Sequence, residues 1–242
     1  MDRIENIDFC IRYLQEQTHM QDDIPAGLAG KQRLLRALMN VWEPQPLSED
    51  FLRAQDAELQ AQLTDKGVEE VDGNLWKGDI TRLKVDAIVN AANSRGLGCW
   101  HPLHACIDNA VHSAAGLQLR QKCNDILKGG IIDTGEAIIT PAYNLPAKYV
   151  VHTVGPVISE DAPTKEQERQ LTNCYRNCLG LAEANGCRSI ALCCISTGEF
   201  RFPNRRAAEI AVEACKDATI KVIFNVFKDI DYDIYRKLLG KD

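Results

Sequence analysis

The sequence predicts a three-layer α/β/α protein that is preceded by a helical N-terminal region. From about residue 70 onward, short β-rich runs alternate with helical patterns, which is typical of a sheet covered by helices. Before that point, apolar residues recur at helical spacing. The 242 residues and the 45% hydrophobic content are sufficient for one large core with an appendage.

The N-terminal region is predicted to be helical. Its amphipathic runs cover residues 11–14, 32–42 and 50–63. Proline-containing segments separate these runs, and the domain boundary is placed at Gly67, so that an extension (1–67) precedes the main domain (68–242). The helices could contact a modified partner protein, cover a pocket or extend the core. The last role is favoured because their apolar faces need burial.

The main domain is predicted to contain six strands and four helices. The strands lie near residues 74–77, 85–90, 135–140, 149–154, 188–195 and 220–227. The helices lie near residues 105–124, 166–186, 204–216 and 231–239. The second strand is apolar and runs into a turn of small residues that contains Asn90 and Asn93. Open α/β sheets collect their ligands at such strand ends.

Charge and composition exclude several classes of function. A net charge of −6, without a local cluster of Lys and Arg among aromatic residues, argues against nucleic acid as a partner. The N-terminus lacks a signal-peptide pattern, and no apolar run approaches the roughly 20 residues that span a bilayer. We therefore expect a soluble cytoplasmic protein that does not bind membranes. Its ten cysteines are expected to be reduced and mostly buried as small hydrophobic residues.

The most informative stretch is the segment 99–106, which contains Cys99, His104 and Cys106. Two thiols and an imidazole suit zinc, and three protein ligands leave a fourth position for water or substrate, as in catalytic zinc sites. His101 is an alternative ligand. His104 is preferred because it lies two residues from Cys106, whereas Pro102 turns the chain after His101. Spacing alone supports a zinc site and an incidental cluster equally.

A helix that begins at Cys106 would place Asp108 and His112 on one face, at positions i and i+4. The free N–H groups of its first turn lie beside Cys106, so this thiol is expected to be readily deprotonated. Metal ligands next to a carboxylate and a histidine suggest catalysis. For the pair in isolation, a carboxylate that complements the helix dipole and a core histidine are the favoured interpretation.

The stretch 195–203 is a strand end that opens into a loop with hydroxyl groups and glycine, and Pro203 then begins a helix. Successive N–H groups of such a loop can face a phosphate. A turn between a strand and a helix needs small residues in any case, so this loop alone is weak evidence for phosphate binding.

Together these segments resemble a macrodomain, the ADP-ribose-binding module, over residues 74–235. The matching segments are 78–81, 86–93, 107–116, 133–137, 145–156 and 195–198. Ordinary MacroD-type members have a short glycine-rich loop where this chain has the segment 99–106. With the helical extension, this insertion makes the chain similar to the zinc-containing microbial macrodomains of the sirtuin-linked class. The resemblance implies a mixed central sheet.

The resemblance also implies roles for individual residues. Asp79, Ile80 and Phe227 would contact adenine, and Asn93 would bind the distal ribose. The diphosphate would be surrounded by the loop Ser196, Thr197, Gly198, Glu199 and Phe200. Glu199 departs from the apolar residue that is usual after this glycine. Its carboxylate would repel a diphosphate unless it faces elsewhere.

The function implied is zinc-dependent hydrolysis that removes mono-ADP-ribose from modified protein side chains and releases ADP-ribose. Asp108, Asn93 and His112 would be the catalytic residues. Zn²⁺ would lower the pKa of a water or polarise an oxygen at the distal ribose. The implied partners are an ADP-ribosylated protein, in particular a lipoyl-carrier protein, and a sirtuin-type ADP-ribosyltransferase. The alternatives are an ADP-ribose reader without activity and an O-acetyl-ADP-ribose deacetylase.

Overall fold

The computed structural model describes residues 2–240, which form eight α-helices and a six-stranded sheet. In chain order the elements are α1 (Arg3–Thr18), α2 (Leu28–Val41), α3 (Glu49–Lys66), β1 (Leu75–Lys77), β2 (Ala87–Ala91), α4 (Ile107–Ala115), α5 (Leu117–Leu127), β3 (Ala137–Pro141), β4 (Tyr149–Thr153), α6 (Lys165–Ala184), β5 (Ser189–Leu192), α7 (Asn204–Cys215), β6 (Lys221–Val226) and α8 (Asp229–Leu238). None of these helices has the length and apolar character needed to cross a membrane.

The sheet has the strand order β1-β6-β5-β2-β4-β3 and is mixed, because β3 runs antiparallel to β4 while the other pairs are parallel. The crossover from β2 to β4 passes through α4 and α5, and the return from β4 to β5 passes through α6. Right-handed crossovers in opposite directions place these helices on opposite faces of the sheet. The three-layer mixed architecture is thus confirmed.

One predicted helix is two helices in the structure. The region 105–124 was expected to be continuous, but α4 ends at Ala115 and α5 begins at Leu117. Gly116 between them has a φ of 98°, a conformation that favours glycine. A Cβ atom there would lie 2.5 Å from the side chain of Gln118. The expectation of one helix is therefore corrected, and Gly116 is the physical reason.

The N-terminal helices α1, α2 and α3 form a hydrophobic core of their own, separate from the core around the sheet. Ile11, Leu38 and Phe51 are buried in it, and Leu117 of α5 joins it from the main domain. The last turn of α3 is closed by the N–H of Gly67, which has a φ of 77°. The extension thus packs against α5 through a shared apolar contact.

The carboxyl ends of the five parallel strands lie at one edge of the sheet. Asp79 follows β1, the segment from Asn93 to Asp108 follows β2, the loop from Ser196 follows β5, and Phe227 follows β6. The residues singled out from the sequence therefore share this edge, as expected for an open α/β sheet.

Candidate functional site

Asp108 is buried in the first turn of α4, where two asparagine amides hold its carboxylate. Asn90 Nδ2 donates to Oδ1 at 2.8 Å, and Asn93 Nδ2 donates to Oδ2 at 3.1 Å. Burial raises the pKa of Asp108 to about 6, although the hydrogen bonds from Asn90 and Asn93 act in the opposite direction. A carboxyl group with a pKa near 6 is ionised at neutral pH and is well suited to accept a proton.

His112 lies one turn after Asp108, with its Nε2 atom 3.6 Å from Asp108 Oδ1. Burial lowers the pKa of His112 well below its usual range, so the ring is neutral. Neither ring nitrogen has a hydrogen-bond partner among residues 2–240. Gly98 covers the ring, and a Cβ atom on Gly98 would lie 2.8 Å from His112 Cγ. His112 therefore supports both the carboxylate and the backbone that enters the segment 99–106.

Cys99, His104 and Cys106 come together, with their ligand atoms all within 4.8 Å of one another. Cys99 Sγ lies 3.5 Å from His104 Nδ1, whereas His101 stands outside this cluster. We call these three residues the outer cluster. Each of them is partly exposed, so the donors are accessible from the sheet edge.

The expectation that the Cys106 thiol is readily deprotonated is wrong. Its Sγ accepts the N–H of Asn109 at 3.4 Å, and this contact at the start of α4 lowers the pKa as foreseen. Burial outweighs the contact and raises the pKa of Cys106 above its usual value. Deprotonation of this thiol would therefore accompany metal binding, because a metal replaces the thiol proton.

The loop after β5 offers free donors at the same edge. Ser196 and Arg201 have φ angles of 65° and 56°, so left-handed residues flank the loop. The N–H groups of Gly198, Glu199 and Phe200 have no acceptor in the described part of the chain. Successive free N–H groups form an anion-binding concavity. The loop can therefore bind an anion even though the protein is acidic.

The exposed side chain of Glu199 reaches His104 of the outer cluster. Its Oε1 atom lies 3.9 Å from His104 Nε2, on the side of the ring opposite to Cys99. The loop thus presents free N–H groups and, in the Glu199 side chain, a carboxylate near His104.

Asp79 and Phe227 are neighbours at the other end of the edge. The N–H of Gly78 donates to the carbonyl of Val226 at 3.0 Å, and Asp79 and Phe227 each follow that pair by one residue. Asp79 Oδ1 accepts the N–H and the hydroxyl of Thr81. The Phe227 ring is 77% exposed, so its aromatic face is free for stacking, whereas Ile80 is buried.

Residues 89–211 match the family model described as Macro domain. The chain belongs to the Macro domain family. A relative from Treponema medium named protein-ADP-ribose hydrolase is 47% identical over 99% of this chain and 100% of its own length. A relative of the same name from Staphylococcus aureus (strain MSSA476) is 40% identical over 100% of this chain and 99% of its own length.

Solved structures agree with this assignment. The Oceanobacillus iheyensis macrodomain with ADP has a TM-score of 0.61 and 36% identity, over 69% of this chain and 88% of that chain. The Trypanosoma brucei macrodomain in complex with ADP-ribose has a TM-score of 0.63 and 30% identity, over 85% of this chain and 95% of that chain. The resemblance to a macrodomain is confirmed.

This macrodomain contains a second group of potential metal ligands, the inner cluster of His112, Cys123 and His152. All three residues are buried. His152 Nδ1 lies 3.1 Å from Asn90 Nδ2, and its Nε2 lies 3.1 Å from Thr140 Oγ1. Both nitrogens of His152 are thus used within the protein. His152 of the inner cluster therefore belongs to a hydrogen-bonded core next to Asn90, whereas the ring nitrogens of His112 have no partner among residues 2–240.

Sequence reasoning missed two residues that organise the site, Arg36 and Asn40, and it placed Asn90 at the strand end without giving it a role. Asn90 holds Asp108, and Arg36 and Asn40 reach the segment 99–106 from α2 of the extension. The signal for the last two was present, because polar residues at i and i+4 stand among the buried apolar residues of α2. A crevice of about 440 Å³ runs between the extension and the macrodomain, and Arg36 and Asp79 both line it.

Proposed function

We propose that this macrodomain is a zinc-dependent hydrolase that removes mono-ADP-ribose from modified protein side chains and releases ADP-ribose. The relatives that match over their full length bear the name protein-ADP-ribose hydrolase, which supports the reaction class. The observation that carries the proposal is that two thiols and an imidazole come together beside a buried carboxylate, with Cys106 as the N-cap of α4 and Asp108 in its first turn. These groups are the outer cluster and Asp108.

ADP-ribose would extend along the sheet edge. Asp79 would accept the adenine amino group, the backbone of Ile80 would contribute polar contacts, and Phe227 would stack on the ring. The diphosphate would accept hydrogen bonds from the N–H groups of Gly198, Glu199 and Phe200, which have no acceptor in the described residues. Ser196 and Thr197 would lie beside it at the start of the same loop. The distal ribose would then lie beside Asn93.

Zinc fits the residues of the outer cluster. Two thiols and an imidazole within 4.8 Å of one another form a donor set suited to this ion, and three protein donors leave a position for a ligand. When bound, zinc supplies a Lewis acid next to the distal ribose. The role of Glu199 follows from its position, since a carboxylate on the far nitrogen of a ligating histidine orients the ring.

Asp108 would accept a proton from the attacking water. The pKa of about 6 leaves the carboxylate ionised at neutral pH, and the amides of Asn90 and Asn93 fix its two oxygens. The bond between the distal ribose and the modified side chain breaks, and water supplies the hydroxyl and the hydrogen to the products. His112 keeps Asp108 on its face of α4 without carrying charge.

The substrate would be an ADP-ribosylated protein, in particular a lipoyl-carrier protein that a sirtuin-type transferase modifies. We assign the protein to the cytoplasm, because its ten cysteines are free and a reducing compartment keeps thiols available for a metal.

The test is release of ADP-ribose from a protein substrate that is mono-ADP-ribosylated on acidic residues. The native protein is compared with Cys106→Ala, and Cys187→Ala serves as the control for loss of a thiol outside the cluster. Each protein is used in excess over the modified substrate, so that the same fraction of the substrate is bound in all three reactions. We expect release by the native protein and the control, and loss of release in Cys106→Ala. Equal release by Cys106→Ala would refute zinc dependence.

Two other results would replace the proposal. Tight ADP-ribose binding by all three proteins without release from several protein substrates would identify a reader. Release of acetate from O-acetyl-ADP-ribose in a parallel assay, without release from modified proteins, would identify a deacetylase of a free metabolite.

A further inference from the structure

The segment 99–106 has no helix or strand of its own, and the N-terminal extension holds it from outside the macrodomain. Arg36 of α2 reaches across to this segment. Its Nη2 donates to the carbonyl of His104 at 3.4 Å and to Asn109 Oδ1 at 2.6 Å, and its Nε donates to the same oxygen at 3.0 Å. One guanidinium thus connects the backbone of a proposed zinc ligand to the first turn of α4.

Asn40 makes a second connection one turn further along α2. Its Oδ1 accepts the N–H of Leu103 at 2.9 Å and Asn109 Nδ2 at 2.9 Å, while its Nδ2 donates to Ser113 Oγ at 3.0 Å. Asn40 is only 1% exposed. Its amide is therefore committed to the segment and to α4.

The hydrogen bond from Leu103 to Asn40 lies at a strained position of the segment 99–106. Leu103 has a φ of 60°, a left-handed conformation that a branched side chain rarely adopts. Such a conformation persists only where the surroundings determine it. Asn40 accepts the Leu103 N–H, so a side chain from α2 contributes to this restraint.

Arg120 adds a contact between the same two regions. Its guanidinium donates to the carbonyls of Asn40 and Trp42 at the end of α2, at 3.0 and 2.6 Å. The face of the Trp100 ring lies 4.5 Å from it. The segment is thus held at Leu103 and His104 by side chains of α2, and at Trp100 by Arg120, which also contacts the end of α2.

We propose that Arg36 and Asn40 are positioning residues that hold Cys99, His104 and Cys106 in register with Asp108. The extension is then part of the functional site. This inference rests on the proposed function in one respect, because it assigns a metal to the outer cluster. Neither residue touches the reacting atoms.

The experiment titrates zinc alone into the metal-free Arg36→Met variant, with a competing chelating indicator. Arg33→Met is the matched control, since Arg33 lies on the same helix without a hydrogen bond in the described residues. We expect the zinc dissociation constant to rise about 10–100-fold in Arg36→Met, as is usual when a residue that orients a ligand is lost. The control stays at the native value, and Arg36→Lys recovers part of the loss.

A second readout does not depend on zinc. Hydrogen–deuterium exchange of residues 99–106 is compared in native protein, Arg36→Met, Asn40→Ala and Arg33→Met, all metal-free. We expect the Leu103 amide to exchange faster in Arg36→Met and Asn40→Ala than in native protein. Exchange of the amides in β2 should be unchanged. If Asn40→Ala loses protection in β2 as well, its fold is affected and Arg36→Met alone decides.

The results distinguish the two proposals. Failure of native protein to bind zinc would refute the metal in the proposed function, while exchange of residues 99–106 would still test the positioning. Native zinc affinity in Arg36→Met, or equal Leu103 exchange in Arg36→Met and Arg33→Met, would overturn the inference.

Discussion

The outer and inner clusters have the same kinds of donor atoms, cysteine sulfur and histidine nitrogen, yet their surroundings differ. Both have ligand atoms within 4.8 Å of one another. Cys99, His104 and Cys106 are partly exposed at the sheet edge, whereas the three inner residues are buried. In the inner cluster both nitrogens of His152 already have polar neighbours, Asn90 and Thr140.

The difference shows that donor identity and proximity are insufficient to define a metal site. A buried imidazole whose nitrogens are both hydrogen-bonded gains little from a metal and would have to give up those bonds. Half-exposed thiols beside an imidazole have open positions and a path from solvent. The exposure of the outer cluster and the hydrogen bonds of His152 in the inner cluster are the reasons for proposing the metal at the outer cluster.

The largest expected effect comes from Asp108, which follows Cys106 of the outer cluster by two residues and lies 3.6 Å from His112 of the inner cluster. Asp108→Asn should lower the single-turnover rate about 10²–10⁴-fold, because the group that accepts the proton is lost. Zinc content and ADP-ribose affinity should remain. Asp125→Asn on α5, which is exposed, is the control and should retain the native rate. Loss of zinc from Asp108→Asn would show that the carboxylate belongs to the outer cluster.

His152 of the inner cluster should make the free energy of unfolding depend on pH. Burial lowers the pKa of His152 from 6.5 to about 3, so the folded state binds the proton less tightly than the unfolded chain. Its contribution to stability is complete above pH 6.5 and is lost as pH falls toward 3, by at most about 5 kcal/mol. Asp108 acts oppositely, since its raised pKa of about 6 reduces stability as pH rises to that value.

Urea unfolding of metal-free protein between pH 4 and 7.5 measures this dependence. We expect His152→Gln to be less stable at neutral pH and to lose less stability on acidification than native protein. Parallel curves for the two proteins would contradict the assignment of a neutral, buried His152.

The zinc content of the Cys123→Ala variant tests which of the two clusters binds the metal. We expect it to bind zinc with native stoichiometry and affinity, because Cys123 belongs to the inner cluster. Its free energy of unfolding should fall by about 1–2 kcal/mol, the usual cost of a small change in a packed core. Metal analysis and denaturant unfolding measure the two quantities. A loss of zinc in Cys123→Ala would mean that the inner cluster holds the metal.

The smallest expected effect is at the edge of the outer cluster. Glu199→Gln should weaken zinc binding by about tenfold or less, because Glu199 is exposed and reaches His104 at 3.9 Å. The indicator titration used for Arg36→Met measures it, with Glu209→Gln on α7 as the control. An unchanged zinc affinity would show that Glu199 does not orient His104.

Much of this site follows from local sequence patterns. The apolar strand before Asn93, the short spacing of Cys99, His104 and Cys106, and the i,i+4 relation of Asp108 to His112 all depend on nearby residues. Family resemblance added the expectation that Asp79, Ile80 and Phe227 contact adenine and that the loop after β5 binds the diphosphate. The division of the predicted helix at Gly116 was missed, because amphipathic periodicity continues across a glycine whose φ only packing reveals.

By itself the sequence determined the order of strands and helices, the donors of the outer cluster and the edge at which ligands are expected, because spacing and periodicity are local properties. Only the tertiary structure decided which side chains from distant parts of the sequence contact the segment 99–106 and the outer cluster. Arg36 and Asn40 reach the segment 99–106 across more than sixty residues of chain, and Glu199 meets His104 across the sheet edge. It also decided the raised pKa values of Asp108 and Cys106, because desolvation depends on everything packed around a group.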